Sequence, residues 1–145
     1  MASSENNILC QYGALPFLMT EEGEIRLLLV TTRGQRGWII PKGWPIRHLT
    51  AAGTAAREAY EEAGVIGTII GDRPCGSFIY EKRASSRGRM VCEVSVFLLA
   101  VKRQLRKWAE RPAGSRPRLL PHSLCPPGSA KSSVLISSGW SIGPF

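Results

Sequence analysis

Residues 50–65 read TAAGTAAREAYEEAGV. Ala52, Ala55, Ala56, Ala59 and Ala63 recur at steps of three and four, the spacing of one helical face. Alanines along that face let a helix axis approach a sheet closely. Thr50 or Thr54 can cap the start by accepting an N–H of the first turn, and Gly64 suits the left-handed residue that ends a helix. The polar side of the same helix carries Glu58, Glu61 and Glu62, with Arg57 beside them. Two like charges about 6 Å apart repel by roughly 3 kcal/mol at an effective dielectric near 20. A divalent cation would convert that repulsion into binding energy, and hard Mg2+ favours carboxylates, waters and phosphate oxygens as ligands. Spacing alone does not establish a metal site, because a solvated acidic face partly neutralised by Arg57, four residues before Glu61, has the same pattern.

Outward from the helix the period changes to that of strands. Residues 8–20 are mostly apolar, Glu21, Glu22, Gly23 and Glu24 break the run, and residues 25–30 resume it, which reads as a hairpin. Residues 31–37 hold two glycines and two arginines and read as a loop. Residues 38–40 read as a short strand stopped by Pro41, and a second loop runs through Gly43 and Pro45. After the helix, strands are expected at about residues 66–70, 75–80 and 90–101. Strands, one helix, then strands again is an α+β order.

Beyond Glu110 the character changes. Residues 111–145 contain six of the ten prolines, eight serines and no acidic residue, so little regular structure is expected there. The fragment 133–136 could form a short strand and Trp140 could dock on the core. The chain therefore divides into a folded domain, residues 8–110, and an atypical Pro/Ser/Arg-rich tail, residues 111–145.

At 145 residues, 43% hydrophobic and 21% charged, the chain has the composition of one globular domain and excludes fibrous or wholly disordered classes. The formal charge of +8 points to an anionic partner. Phosphorylated small molecules rank first, since no row of basic and aromatic residues supports a specific nucleic-acid partner. Cys10, Cys75, Cys92 and Cys125 form no C-x-x-C pair and read as free thiols. No apolar stretch has the length of a membrane span, and no leader-like pattern opens the chain, so a cytoplasmic location with no membrane partner is expected.

Residues 43–65 carry the most specific pattern. Gly43, Arg57, Glu58, Ala59, Glu61, Glu62, Gly64 and Val65 fall in the order and spacing of the Nudix box, G-x(5)-E-x(7)-R-E-U-x-E-E-x-G-U with U aliphatic, with Leu49 at the first Glu position. The segment resembles that box. Residues 38–45, WIIPKGWP, and 92–97, CEVSVF, are similar to the diphosphoinositol polyphosphate phosphohydrolase-like branch of the family. The resemblance spans residues 8–110. It implies the Nudix fold, an α/β/α sandwich with a mixed sheet, whose C-terminal strand and helix are missing or altered here.

The resemblance also implies a pyrophosphohydrolase that uses Mg2+, with Mn2+ as an alternative, to cleave a diphosphate linkage in a nucleoside diphosphate derivative or a diphosphoinositol-type substrate. Glu58, Glu61 and Glu62 are the implied metal ligands, with a backbone carbonyl near Lys42 or Gly43 completing the shell. Arg57 is the implied orienter of the glutamates. Lys42, Arg33 and Lys82 are the substrate-phosphate candidates, chosen because Arg offers a bidentate fork and Lys a point charge. Arg36 and Arg83 lie in comparable positions. Leu49 and His48, the latter where relatives often carry Gly, depart from the pattern, and Glu93 is a candidate base or extra ligand. The rival reading is a catalytically impaired Nudix-fold module that binds a phosphorylated ligand without cleaving it.

Overall fold

The computed structural model describes residues 8–31, 37–84, 88–109 and 116–121. The elements are β1 (Ile8–Met19), β2 (Ile25–Thr31), β3 (Trp38–Ile39), β4 (Lys42–Gly43), α1 (Ala51–Ala63), β5 (Val65–Ile69), β6 (Gly76–Ala84), β7 (Gly88–Gln104) and β8 (Arg118–Pro121). The expected hairpin is present. Phe17 pairs with Leu27 and Met19 with Ile25. Its turn is closed by Thr20, whose hydroxyl accepts the Glu24 N–H at 3.1 Å.

The sheet is mixed, in the order β3-β2-β1-β7-β5, with β4 added to β1, β6 to β7 and β8 to β2. Its centre is the parallel pairing of β1 with β7, running from Ile8 opposite Val91 to Phe17 opposite Ala100. β5 and β6 pair antiparallel with successive parts of β7. The strands after the helix lie where expected, with β6 and β7 longer than the apolar runs that announced them, because once two strands pair the ladder continues through the polar residues 81–84 and 102–104.

The alanine stripe does what its spacing implies. Ala55, Ala59 and Ala63 are fully buried and join Ala14, Leu28, Val30, Val65, Phe97 and Leu99 in one core between α1 and the sheet. The helix axis lies so close to the strands that a larger side chain at Ala55 or Ala59 has no room, an overpacking that costs typically about 1–3 kcal/mol. Thr50 caps α1 by accepting the Gly53 N–H at 3.0 Å. Gly64 ends it in the left-handed conformation at φ 65. The opposite sheet face holds a second core of Ile40, Phe78, Val94 and Val96, with Leu15, Leu29, Cys75 and Tyr80 packed against it. Among the described residues α1 is the single helix, so of the two helical layers of the expected sandwich they show one.

One expectation needs correction. Residues 42–43 are not loop: Lys42 and Gly43 form β4, paired antiparallel with Gly13 and Tyr12. In the tail, where little regular structure is expected, the described residues include one short strand. Residues 118–121 form β8, with Leu119 opposite Leu28 and Leu120 opposite Leu27. Two leucines among prolines and arginines show no period, so only the partner strand gives them register. The fragment 133–136 and Trp140 lie outside the described residues. No helix of the described residues is long and apolar enough to cross a membrane.

Candidate metal and phosphate site

The helix and β4 build the site together. β4 is short and runs beside the polar face of α1, so its backbone faces the acids of the helix. The Lys42 N–H donates to the Glu62 carboxylate at 3.1 Å. The Glu58 carboxylate lies directly against Gly43, close enough that a methyl group there would collide with both of its oxygens. Gly43 is thus needed for closeness of approach, and the first and last of the three box glutamates are gathered on one two-residue stretch of backbone.

Glu61 is turned differently. It accepts from the Arg57 guanidinium at 2.8 Å, one helical turn away, while the Arg57 guanidinium also lies 5.5 Å from the centre of the Tyr60 ring. Among the described residues no three acidic, His or Cys side chains already converge as a cage. Two box acids face Lys42 and Gly43, and the third is held at their side by Arg57.

Electrostatics follow from this crowding. Burial, reinforced by Glu61, raises Glu58 above the usual carboxylate range. Burial also pushes Glu62 up to about 7, with Glu58 adding to the rise and the Lys42 N–H and ammonium opposing it. Two carboxylates that resist ionising side by side are hard oxygen donors in need of a counter-charge, and a divalent cation fits them. Because the folded-state value of Glu62 lies above the ordinary 4.5, its protonation stabilises the fold below about pH 4.5, and that contribution is lost as pH rises through 7. In chelator, the melting temperature of the wild type should therefore gain on the order of 5 °C relative to Glu62→Gln between pH 8 and pH 5. Parallel pH profiles for the two proteins would refute the burial of an ionisable carboxyl at this position.

The Lys42 side chain leaves the glutamates and points to β6. Its ammonium donates to the Tyr80 hydroxyl at 3.0 Å and lies 4.3 Å from the centre of that ring. Burial lowers it below the usual lysine range, Glu62 opposes, and nearby Lys82 lowers it further. The Tyr80 hydroxyl in turn donates to Gln11 Oε1 at 2.5 Å. Burial, with Cys92 beside it, raises the Tyr80 phenol, which stays a neutral donor. Lys82, on β6, sits 5.7 Å from the ring centre of Trp44, an exposed side chain one residue past Gly43. Lys42 and Lys82 therefore flank one aromatic rim beside the glutamates. Arg33 and Arg36 lie outside the described residues, as does the side chain of Arg83.

Tyr80, Gln11 and Trp108 were not singled out from the sequence. Trp108 stacks over the end of α1, donating its indole N–H to the Glu61 carbonyl at 2.7 Å and so satisfying a terminal acceptor of the helix. Glu93 is directly preceded and followed by the buried Cys92 and Val94. Tyr80 pairs across the strands with Cys92, so alternation puts Glu93 on the sheet face opposite Tyr80. His48 is exposed and has φ 70, the left-handed conformation, in the turn closed by the Leu49 N–H on the Ile46 carbonyl at 3.1 Å. His48→Gly should raise stability by about 0.5–1 kcal/mol, since glycine adopts this conformation without the side-chain penalty. An unchanged or lowered denaturation midpoint would contradict the turn.

No protein-family model matches the chain. It is similar to Nudix hydrolase 16, mitochondrial, of Arabidopsis thaliana, with 32% identity over 101 residues that cover 67% of this chain and 55% of that protein. The chain belongs to the Nudix hydrolase family. It spans little more than half the length of that curated relative. Among solved structures, the Nudix fold is shared with a C. elegans Ap4A hydrolase binary complex (TM-score 0.52, 17% identity, 76% of this chain and 79% of that one). It is shared equally with the NUDIX domain of Shewanella oneidensis NrtR complexed with ADP ribose (TM-score 0.52, 17% identity, 80% and 74%). At these identities the likeness is one of fold. Within the Nudix box, the departure at Leu49 falls on an exposed side chain, 46% accessible, on the turn that leads into α1.

Proposed function

We propose that this Nudix chain hydrolyses a diphosphate linkage in a nucleoside diphosphate derivative, with Mg2+ held by Glu58, Glu61 and Glu62 and a backbone carbonyl at Gly43. The observation that carries the reading is the gathering of Glu58 and Glu62 on the backbone of Lys42 and Gly43. A bound divalent ion supplies Lewis-acid polarisation of the phosphoryl oxygens and a more acidic attacking water. The chain's own residues do the rest. Lys42 and Lys82 attract and orient the diphosphate, together with Arg33, and Arg57 fixes the rotamer of Glu61.

The Ap4A hydrolase and the ADP ribose complex among the structural relatives make nucleotide derivatives the first substrates to try, with diphosphoinositol phosphates as the second class. The test is a panel of dinucleoside polyphosphates, nucleotide sugars, ADP-ribose, modified nucleoside triphosphates and diphosphoinositol phosphates, incubated with Mg2+ and assayed for released products. Turnover of a member that stops on adding chelator is expected. Clear binding with no turnover of any member would favour a module that only recognises its ligand.

A further inference from the structure

The Lys42 ammonium is held by a relay. Gln11 is 3% exposed and fixed on the central strand β1, where Gln11 pairs with Val94 of β7. Its side-chain oxygen takes the Tyr80 proton at 2.5 Å, which leaves the lone pairs of that hydroxyl turned to the Lys42 ammonium at 3.0 Å. A buried amide that accepts thus sets the direction in which the phenol can accept. The other end of Lys42 is pinned by its N–H on Glu62. A free lysine side chain samples many rotamers, whereas here its ammonium has a fixed partner in the Tyr80 hydroxyl.

We propose that Tyr80 and Gln11 are positioning residues that preorganise the Lys42 ammonium for the substrate diphosphate. This rests on the reading of Lys42 as a phosphate ligand. The relay acts on binding, through the ammonium that the Tyr80 hydroxyl holds. Removing the hydroxyl frees the ammonium, which must then be re-ordered on binding, a loss of up to roughly 30-fold in affinity, while the ring under the ammonium and its packing against Phe78 remain.

The test uses methylenediphosphonate, a diphosphate that cannot be hydrolysed, with Mg2+ and titration calorimetry on the whole chain. Tyr80→Phe should weaken binding by about 10-fold, with a somewhat lowered melting temperature because the buried Gln11 oxygen loses its donor. Lys42→Met should weaken it at least as much, and the double variant Lys42→Met/Tyr80→Phe should bind no worse than Lys42→Met alone. Gln11→Glu keeps an acceptor for the Tyr80 proton and should restore more affinity than Gln11→Leu. If Lys42→Met binds like the wild type, or the wild type fails to bind, the phosphate-ligand reading falls and the relay with it. If Lys42→Met weakens binding but Tyr80→Phe does not, or the two losses add in the double variant, the relay alone is overturned.

Discussion

Glu62→Gln should lower turnover on the order of 100-fold at saturating Mg2+ while leaving the fold as stable as the wild type or more so. The substitution keeps length and shape, and the amide oxygen can still accept the Lys42 N–H now bonded at 3.1 Å. What it removes is a charge that burial already disfavours and that Glu58, one helical turn away, repels. Losing one principal electrostatic contact in a transition state costs about 100- to 1000-fold. The two signs together are diagnostic: a merely structural glutamate loses stability when altered, and a spectator changes nothing. Turnover and melting temperature measured on one preparation decide it, and near-normal turnover would remove Glu62 from the metal site. His48→Gly, on the exposed turn, should leave turnover close to that of the wild type.

Gly43→Ala should be nearly as damaging to turnover, again on the order of 100-fold, for a different physical reason. Gly43 does not have a positive φ, so alanine fits its backbone and even restricts the unfolded chain. The added methyl would sit in the space now filled by the Glu58 carboxylate. A carboxylate at the end of a flexible side chain can swing away at small cost, so stability should stay within about 1 kcal/mol of the wild type. The displaced group, however, is one of the proposed metal ligands. The expected signature is a raised Mg2+ requirement together with the lost rate. Wild-type turnover by Gly43→Ala would show that Glu58 does not rest on this backbone during turnover.

How much of this was legible from the chain depends on distance along it. Helix α1 was readable because its signals are local: the alanine stripe, the Thr50 cap and the Gly64 terminator all lie within fifteen positions. The acids were readable for the same reason, and the box fixed their spacing. Which of them face the same partner was not, since that depends on β4, a two-residue strand that exists only because Tyr12 and Gly13 pair with it. The lysine candidates divide in the same way. Lys42 stands out beside the box, but its partners Tyr80 and Gln11 are 38 and 31 positions away and sit in runs that look like ordinary strand. Strand β8 and the Trp108 contact on the Glu61 carbonyl are likewise made by tertiary pairing, with no period or cap to announce them.

The parallel pairing at the centre of the sheet has a consequence in time. Every residue of β1 in that ladder faces one 83 positions later in β7. At a synthesis rate of about 5–20 residues per second, β1 waits on the order of ten seconds after leaving the ribosome before its partner exists. During that interval a largely apolar twelve-residue segment has only β2 and the two residues of β4 to pair with among the strands described. Loop closure over so long a span also slows refolding of the finished chain. Among the strands described, the one that anchors Gln11 is thus made before any other, yet its longest ladder closes only after β7 has followed.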